Sequence, residues 1–247
     1  MLTNSLILFL GSFLAGIAAF ILPPVADRKY KLVLVFAGAY LLAITITHIL
    51  PELFNNGINP SQIGLYVLIG FIFQEVLEYF TSGVEHGHMH VEDEKHQHSK
   101  ASSIMLIIAL FIHAFLEGSL LAHPGSIHAD HDSGGLLLGI ILHKAPASFA
   151  LVSILFCQLK NRKKALLFLF IFAMSSPIGM WVGDYFAHGQ VLSDYTFSIL
   201  FAIVSGNFLH ISTTIVFESE PNHKVDIQKL GVTILGASLA VMVEFLL

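Results

Sequence analysis

An all-α membrane protein, with eight transmembrane helices in one bundle, is the fold this sequence predicts, and three observations predict it. Charged residues make up only 12% of the 247 and apolar residues 55%, with a mean hydropathy of +0.77. An ordinary soluble domain carries roughly 25% charged residues. The apolar residues also fall into segments of about 18 to 22 residues, the length a helix needs to cross about 30 Å of hydrocarbon. Once those segments are marked off, the basic residues sort onto alternate links.

The segments lie near 2–22, 32–53, 63–82, 103–122, 135–157, 165–185, 196–217 and 230–247. The first, "MLTNSLILFLGSFLAGIAAFIL", lacks a basic leader and runs longer than a signal-peptide core, so it is expected to remain as a helix. Arg28, Lys29 and Lys31 join the first and second segments, Lys95 and Lys100 the third and fourth. Lys160, Arg162, Lys163 and Lys164 join the fifth and sixth, and Lys224 and Lys229 the seventh and eighth. The opposite links carry no Lys or Arg, so the positive-inside rule puts both termini outside the cytosol. Short links leave room for a single transporter-sized domain, 1–247, whose largest insert is a His-rich cytosolic loop at 83–102. One cysteine, Cys157, excludes an intrachain disulfide framework. A formal charge of -5, with the basic residues scattered among links, argues against nucleic acid as a partner.

Few ionisable residues fall inside the segments, among them His48 and Glu52 in the second, Glu75 and Glu78 in the third, His113 and Glu117 in the fourth, His143 and Lys144 in the fifth, and His210 in the seventh. A charge near the bilayer centre costs at least about 2.5–3.5 kcal/mol, so such residues need a compensating use. His113 and Glu117 are four apart and project from one helical face. His143, on a helix running the other way, falls near the same depth. Two imidazoles and a carboxylate form an N2O set with an open coordination position, suited to a divalent first-row ion such as Zn²⁺. A single polar residue in a membrane helix is often interhelical glue; a helical pair matched in depth by a third group reads as a ligand set. Lys144 opposes a cation beside it, and it is expected to pair with an acid inside the bundle, Glu117, Glu75 or Glu78. Pro146 is expected to kink the fifth helix or free a carbonyl, and "SSPIG", Ser175 to Gly179, to break the sixth.

"HAFLEG" (113–118), "HKAPASFAL" (143–151), "HILPE" (48–52), "SGNFLH" (205–210) and the His-rich loop together resemble the ZIP family of divalent-metal transporters, over the whole chain. The resemblance implies eight spans with both ends outside. It implies His113 and Glu117 as the ligands of the fourth helix and His143 as the first ligand of the fifth. Where many members build a second metal site, this chain has Ala114, Lys144 and Ala147. The His-Lys pair is similar to the branch in which a lysine takes the place of the second metal's ligand, so one metal is expected. His210, Glu75, Glu78 or water would complete its shell.

A route follows. His48 and Glu52 lie at the outer end of the second segment, beside the link "HPGSIHADHDS", an electronegative mouth that concentrates cations. Toward the cytosol, Glu75 and Glu78 lead to "EHGHMHVEDEKHQHSK", whose His86, His88, His90, His96 and His98 offer labile ligands. No GxxxxGK[ST] signature occurs, so the ion's own gradient or the membrane potential would drive movement. The expected function is import of a divalent metal cation, zinc foremost, into the cytosol through a single-metal midplane site. The metal is transported substrate and not catalyst, and the same donors accept Fe²⁺, Mn²⁺ and Cd²⁺. The rivals are an intramembrane metal-dependent hydrolase, against which no HExxH occurs, and a transport-inactive metal sensor. The expected partners are metal ions and the lipid bilayer of the cell membrane, which the chain would cross many times, with a homodimer left open.

Overall fold

The structure, a computed structural model, describes residues 1–22, 27–81, 100–122, 134–188, 193–217 and 226–246. Among them every regular element is helical: α1 (Leu2–Ala18), α2 (Asp27–Ile44), a π-helical turn (Thr45–Ile49), α3 (Leu50–Asn55), α4 (Pro60–Thr81), α5 (Lys100–Leu120), α6 (Gly134–Leu159), α7 (Arg162–His188), α8 (Asp194–Phe217) and α9 (Ile227–Leu246). Counting Arg28–Asn55 as one span, six helices are long and apolar enough to cross a membrane, and the shorter apolar helices Leu2–Ala18 and Ile104–Leu120 complete the eight expected. The chain is an all-α, multi-pass membrane protein.

Several helices start before the apolar residues do, because polar side chains cap them. Asn59 Oδ1 accepts the Ser61 amide, Asn161 Oδ1 those of Lys163 and Lys164, Ser193 Oγ that of Thr196, and Asp226 Oδ1 those of Gln228 and Lys229. Each satisfies amides that a helix start leaves without an intrahelical acceptor. The Asp226 carboxyl is held below the usual aspartate range by the Gln228 amide first, then by Lys229's amide and the Arg28 guanidinium 3.3 Å away.

The outer helices bury one stripe and turn the rest outward. In α1 the buried positions are Ser5, Leu8, Ser12 and Gly16, and in α4 they are Ile63, Gly70, Gln74, Leu77 and Thr81. That three-and-four spacing follows from the helical repeat. Exposed Leu6, Leu10, Leu68, Ile72, Ile234 and Leu235 give α1, α4 and α9 apolar outer faces, as a lipid environment requires.

Glycines bring two helix pairs into close approach. A Cβ on Gly118 (α5) would strike the Ser176 backbone on α7, and one on Gly179 (α7) would strike the Phe115 backbone on α5. Gly70 (α4) against Ile203 and Gly206 (α8) against Val67 repeat that reciprocity. Small residues at crossing points are how helices dock where lipid removes the hydrophobic drive.

The interior holds two apolar clusters. One gathers Tyr40, Leu41, Ile44, Leu120, Leu136, Ile140, Met180 and Phe208, with neighbours. The other gathers Leu106, Leu110, Ala114, Ala147, Leu151, Phe172 and Ile211, with neighbours. Along α5 the boundary falls between Ala114 and Leu116, and along α6 between Leu142 and Ala147. The expected ligands sit at that boundary.

The break expected in the sixth span does not occur, since α7 runs unbroken through Pro177; α6 also continues through Pro146, which lacks the amide that the Leu142 carbonyl would accept, the freed carbonyl expected there. Hydroxyls bond other carbonyls nearby, Tyr30 Oη donating to the Pro146 carbonyl at 2.9 Å and Ser175 Oγ to that of Phe172 at 2.5 Å. The break lies in the second span instead. Pro51 has no amide for the Thr47 carbonyl and its ring crowds that group, and the turn just before it widens to a π-helix.

Candidate metal-binding site

Glu117 Oε1 lies 3.0 Å from His113 Nε2 and 4.0 Å from His143 Nε2. The two imidazoles stand nearly perpendicular, 89° between planes, with centroids 5.9 Å apart. One ligand atom from each residue falls within 4.8 Å of the others. A tetrahedral ion with bonds of about 2.0–2.2 Å would want donors about 3.4 Å apart. The triangle is therefore close to ligating geometry, with slight closure needed on the His143 side. All three side chains are sealed, at 1–2% exposure. The i,i+4 spacing on α5 sets the first pair, and α6 delivers His143 to it.

Lys144, also buried, stands beside this triad, and among the described residues its direct contacts are hydroxyls and a ring. Its Nζ donates to Ser176 Oγ at 2.5 Å and to Ser175 Oγ at 3.4 Å, and it lies 4.5 Å from the Phe172 ring centroid. Ser176 Oγ in turn donates to the Ala114 carbonyl at 2.7 Å. The ammonium is thus fixed to α7 and, through it, to the residue next to His113. The acid pairing expected of Lys144 holds only through space, Glu117 acting on it electrostatically, while hydroxyls and a ring face hold Nζ directly, and these contacts are what sequence reasoning missed. Two adjacent serines before Pro177, in the otherwise apolar run 165–183, were the available signal. Ala114 and Ala147 lie in the apolar cluster beside Lys144.

The remaining expected residues fall elsewhere. His48 sits in the π turn and Glu52 on α3, 3.8 Å apart, and Glu244 of α9 reaches His48 Nδ1 at 2.5 Å. Glu244 has no motif around it; its one signal is that it is the sole ionisable residue in 230–247. His210 Nδ1 lies 3.5 Å from Glu78 Oε2, with the Phe71 ring 4.7 Å away edge-on. This pair joins α4 to α8 and is not brought into the triad. Glu75 is exposed on the outward face of α4 and reaches neither. His86, His88, His90, His96 and His98, and the link 123–133, lie outside the described residues.

The chain is 33% identical over 150 residues to protein zntD of Dictyostelium discoideum, covering 57% of this chain and 21% of that protein. It is 28% identical over 158 residues to zinc transporter ZIP9 of Xenopus tropicalis, covering 62% and 51%. It is 26% identical over 268 residues to zinc transporter 11 of Arabidopsis thaliana, covering 96% and 81%. The chain thus spans about half, or less, of the length of the first two of these relatives. A family model described as ZIP zinc transporter matches residues 81–244, which include His113, Glu117, His143 and Lys144. With more than half of its length matched, and with the fourth- and fifth-span motifs meeting in one buried triad, the chain belongs to the ZIP zinc transporter family.

Proposed function

We propose that this protein carries a divalent cation, zinc foremost, across the cell membrane into the cytosol, one ion at a time, through His113, Glu117 and His143. The observation that carries this reading is the sealed N2O triangle between two apolar clusters. An ion entering it must exchange its water for protein ligands, and an ion leaving it must take water back. At 1–2% exposure the triad has no standing path to water, so the helices must move to open each side in turn. The likeness to relatives named zinc transporters supports zinc as the cargo.

Lys144 keeps the site light. With Glu117 ionised, the empty pair carries no net charge, and a loaded site carries that of the ion alone. An ammonium pinned by Ser175 and Ser176 cannot swing in as a ligand, and its charge weakens the hold on the ion. Affinity low enough for release follows, and so does a single ion. His48 and Glu52 serve as the outer approach, and Glu78 with His210 serves as a step toward the cytosolic link. Inward direction rests on the orientation that the basic residues on alternate links imply, taken together with the likeness to the family.

The test is zinc uptake into proteoliposomes holding the purified protein, without nucleotide, with Fe²⁺, Mn²⁺ and Cd²⁺ as competitors. Saturable uptake driven by the zinc gradient is expected, with competition by the other ions. Zinc bound at equilibrium but never moved would overturn the reading in favour of a sensor.

A further inference from the structure

The mouth of the bundle holds a second arrangement of ligand-type side chains, and its logic differs from that of the triad. His48 and Glu52 repeat the His-x-x-x-Glu spacing of His113 and Glu117. Their side chains are 17% and 14% exposed, and that of Glu244 is 19% exposed, so the group is reachable from outside the bundle. The imidazole stands between two carboxylates from different helices. Its Nδ1 lies at hydrogen-bond distance, 2.5 Å, from Glu244, while its Nε2 faces Glu52 across 3.8 Å.

That second gap is too long for a hydrogen bond. It is close to the separation of two donors that share one ion through bonds of about 2.0–2.2 Å. A carboxylate on the far nitrogen is also the usual partner of a metal-binding histidine, because it fixes the tautomer and turns the other nitrogen to the ion. Charge points the same way. Two carboxylates stand around one imidazole, and no Lys or Arg occurs in the expected outer links to compete with a cation. The π turn is the backbone feature that presents His48 here: it inserts a wide turn at Thr45–Ile49, just before Glu52.

We infer that His48 and Glu52 form a capture station for a divalent cation at the mouth, and that Glu244 is its positioning residue, holding the His48 ring with Nε2 toward the ion. The station loads the buried triad and does not itself move ions. The inference rests on the transport reading, and it predicts a separable signature.

Two measurements test it. In proteoliposomes, His48→Ala and Glu244→Ala raise KM for zinc about tenfold or more with kcat unchanged, in line with the 10–100-fold cost of losing an outer-shell partner. Glu244→Asp restores most of the loss. In detergent, Cd²⁺ titration is run on the full chain with His113, Glu117, His143 and the five loop histidines replaced by alanine. Weak binding is expected to remain, and to fall at least tenfold when His48→Ala or Glu244→Ala is added. A fall in kcat with KM unchanged, or residual Cd²⁺ binding indifferent to both substitutions, overturns the station. Failure of the transport reading looks different: the wild type moves no zinc, while the Cd²⁺ titration still answers to His48.

Discussion

His113–Glu117 and His48–Glu52 are the same pair of residue types at the same helical spacing, and the fold gives them opposite surroundings. The inner pair is sealed, meets a second imidazole from α6, and has an ammonium fixed beside it. The outer pair is partly open, meets a carboxylate from α9, and stands where the helix has widened. Spacing alone makes two donors neighbours. What the next helix contributes decides what they can do: a third ligand within a dry boundary for one, an orienting acid at a wet edge for the other.

The largest expected effect breaks the inner side of this comparison. Glu117→Ala removes the only carboxylate of the triad and leaves two imidazoles, so uptake falls by more than about 100-fold, beyond the range that outer-shell losses produce. By contrast Glu52→Ala spares kcat and raises KM, read from initial uptake rates across zinc concentrations. Next is the frame that holds the inner site. Gly118→Leu forces α5 off the Ser176 backbone, an overpacking worth about 1–3 kcal/mol or more. A lower melting midpoint in detergent and lost uptake are expected, whereas Gly64→Ala, with open space around it, leaves uptake intact.

The third change sharpens the contrast in charge. Lys144→Met removes the ammonium, and equilibrium zinc binding to the triad tightens by about tenfold, on the scale of one nearby charge at intermediate dielectric. Release slows, so turnover drops as affinity rises. Ser176→Ala is expected to do the same in weaker form, since Ser175 still holds Nζ.

The smallest effect lies away from both regions. The Asp226 carboxyl, depressed by the Gln228 amide, contributes stability above the ordinary aspartate range and loses it as pH falls below about 4. Asp226→Asn therefore flattens the acid limb of a stability profile and leaves uptake at neutral pH unchanged.

The membrane architecture was legible because hydrocarbon thickness imposes a segment length that composition displays directly. Helix ends were less so, since Asn59, Asn161, Ser193 and Asp226 begin helices with polar residues that hydropathy assigns to links. The triad was legible from cost: ionisable residues inside apolar segments are few, and two of them share a helical face. Glu75 could have been set aside by the same periodicity. It stands one residue beyond Gln74 on the buried stripe of α4, about a quarter turn off it, whereas Glu78 lies four residues on and returns to it. Partners across helices were not legible. Nothing in the order of residues ties Lys144 to Ser176 or His48 to Glu244; tertiary packing alone does. The proline signals were misplaced in part, because α6 and α7 stay helical through Pro146 and Pro177 while the turn before Pro51 widens.

The central claim is that the ion crosses through His113, Glu117 and His143. Its most direct test is the initial rate of radioactive zinc uptake into proteoliposomes by wild type and His113→Ala, at equal incorporated protein and with matched melting midpoints. Saturable uptake in the wild type, reduced to the level of protein-free vesicles in His113→Ala, is the predicted result. Uptake by a folded His113→Ala protein at the wild-type rate would contradict the account, because the ion would then be crossing by some other path.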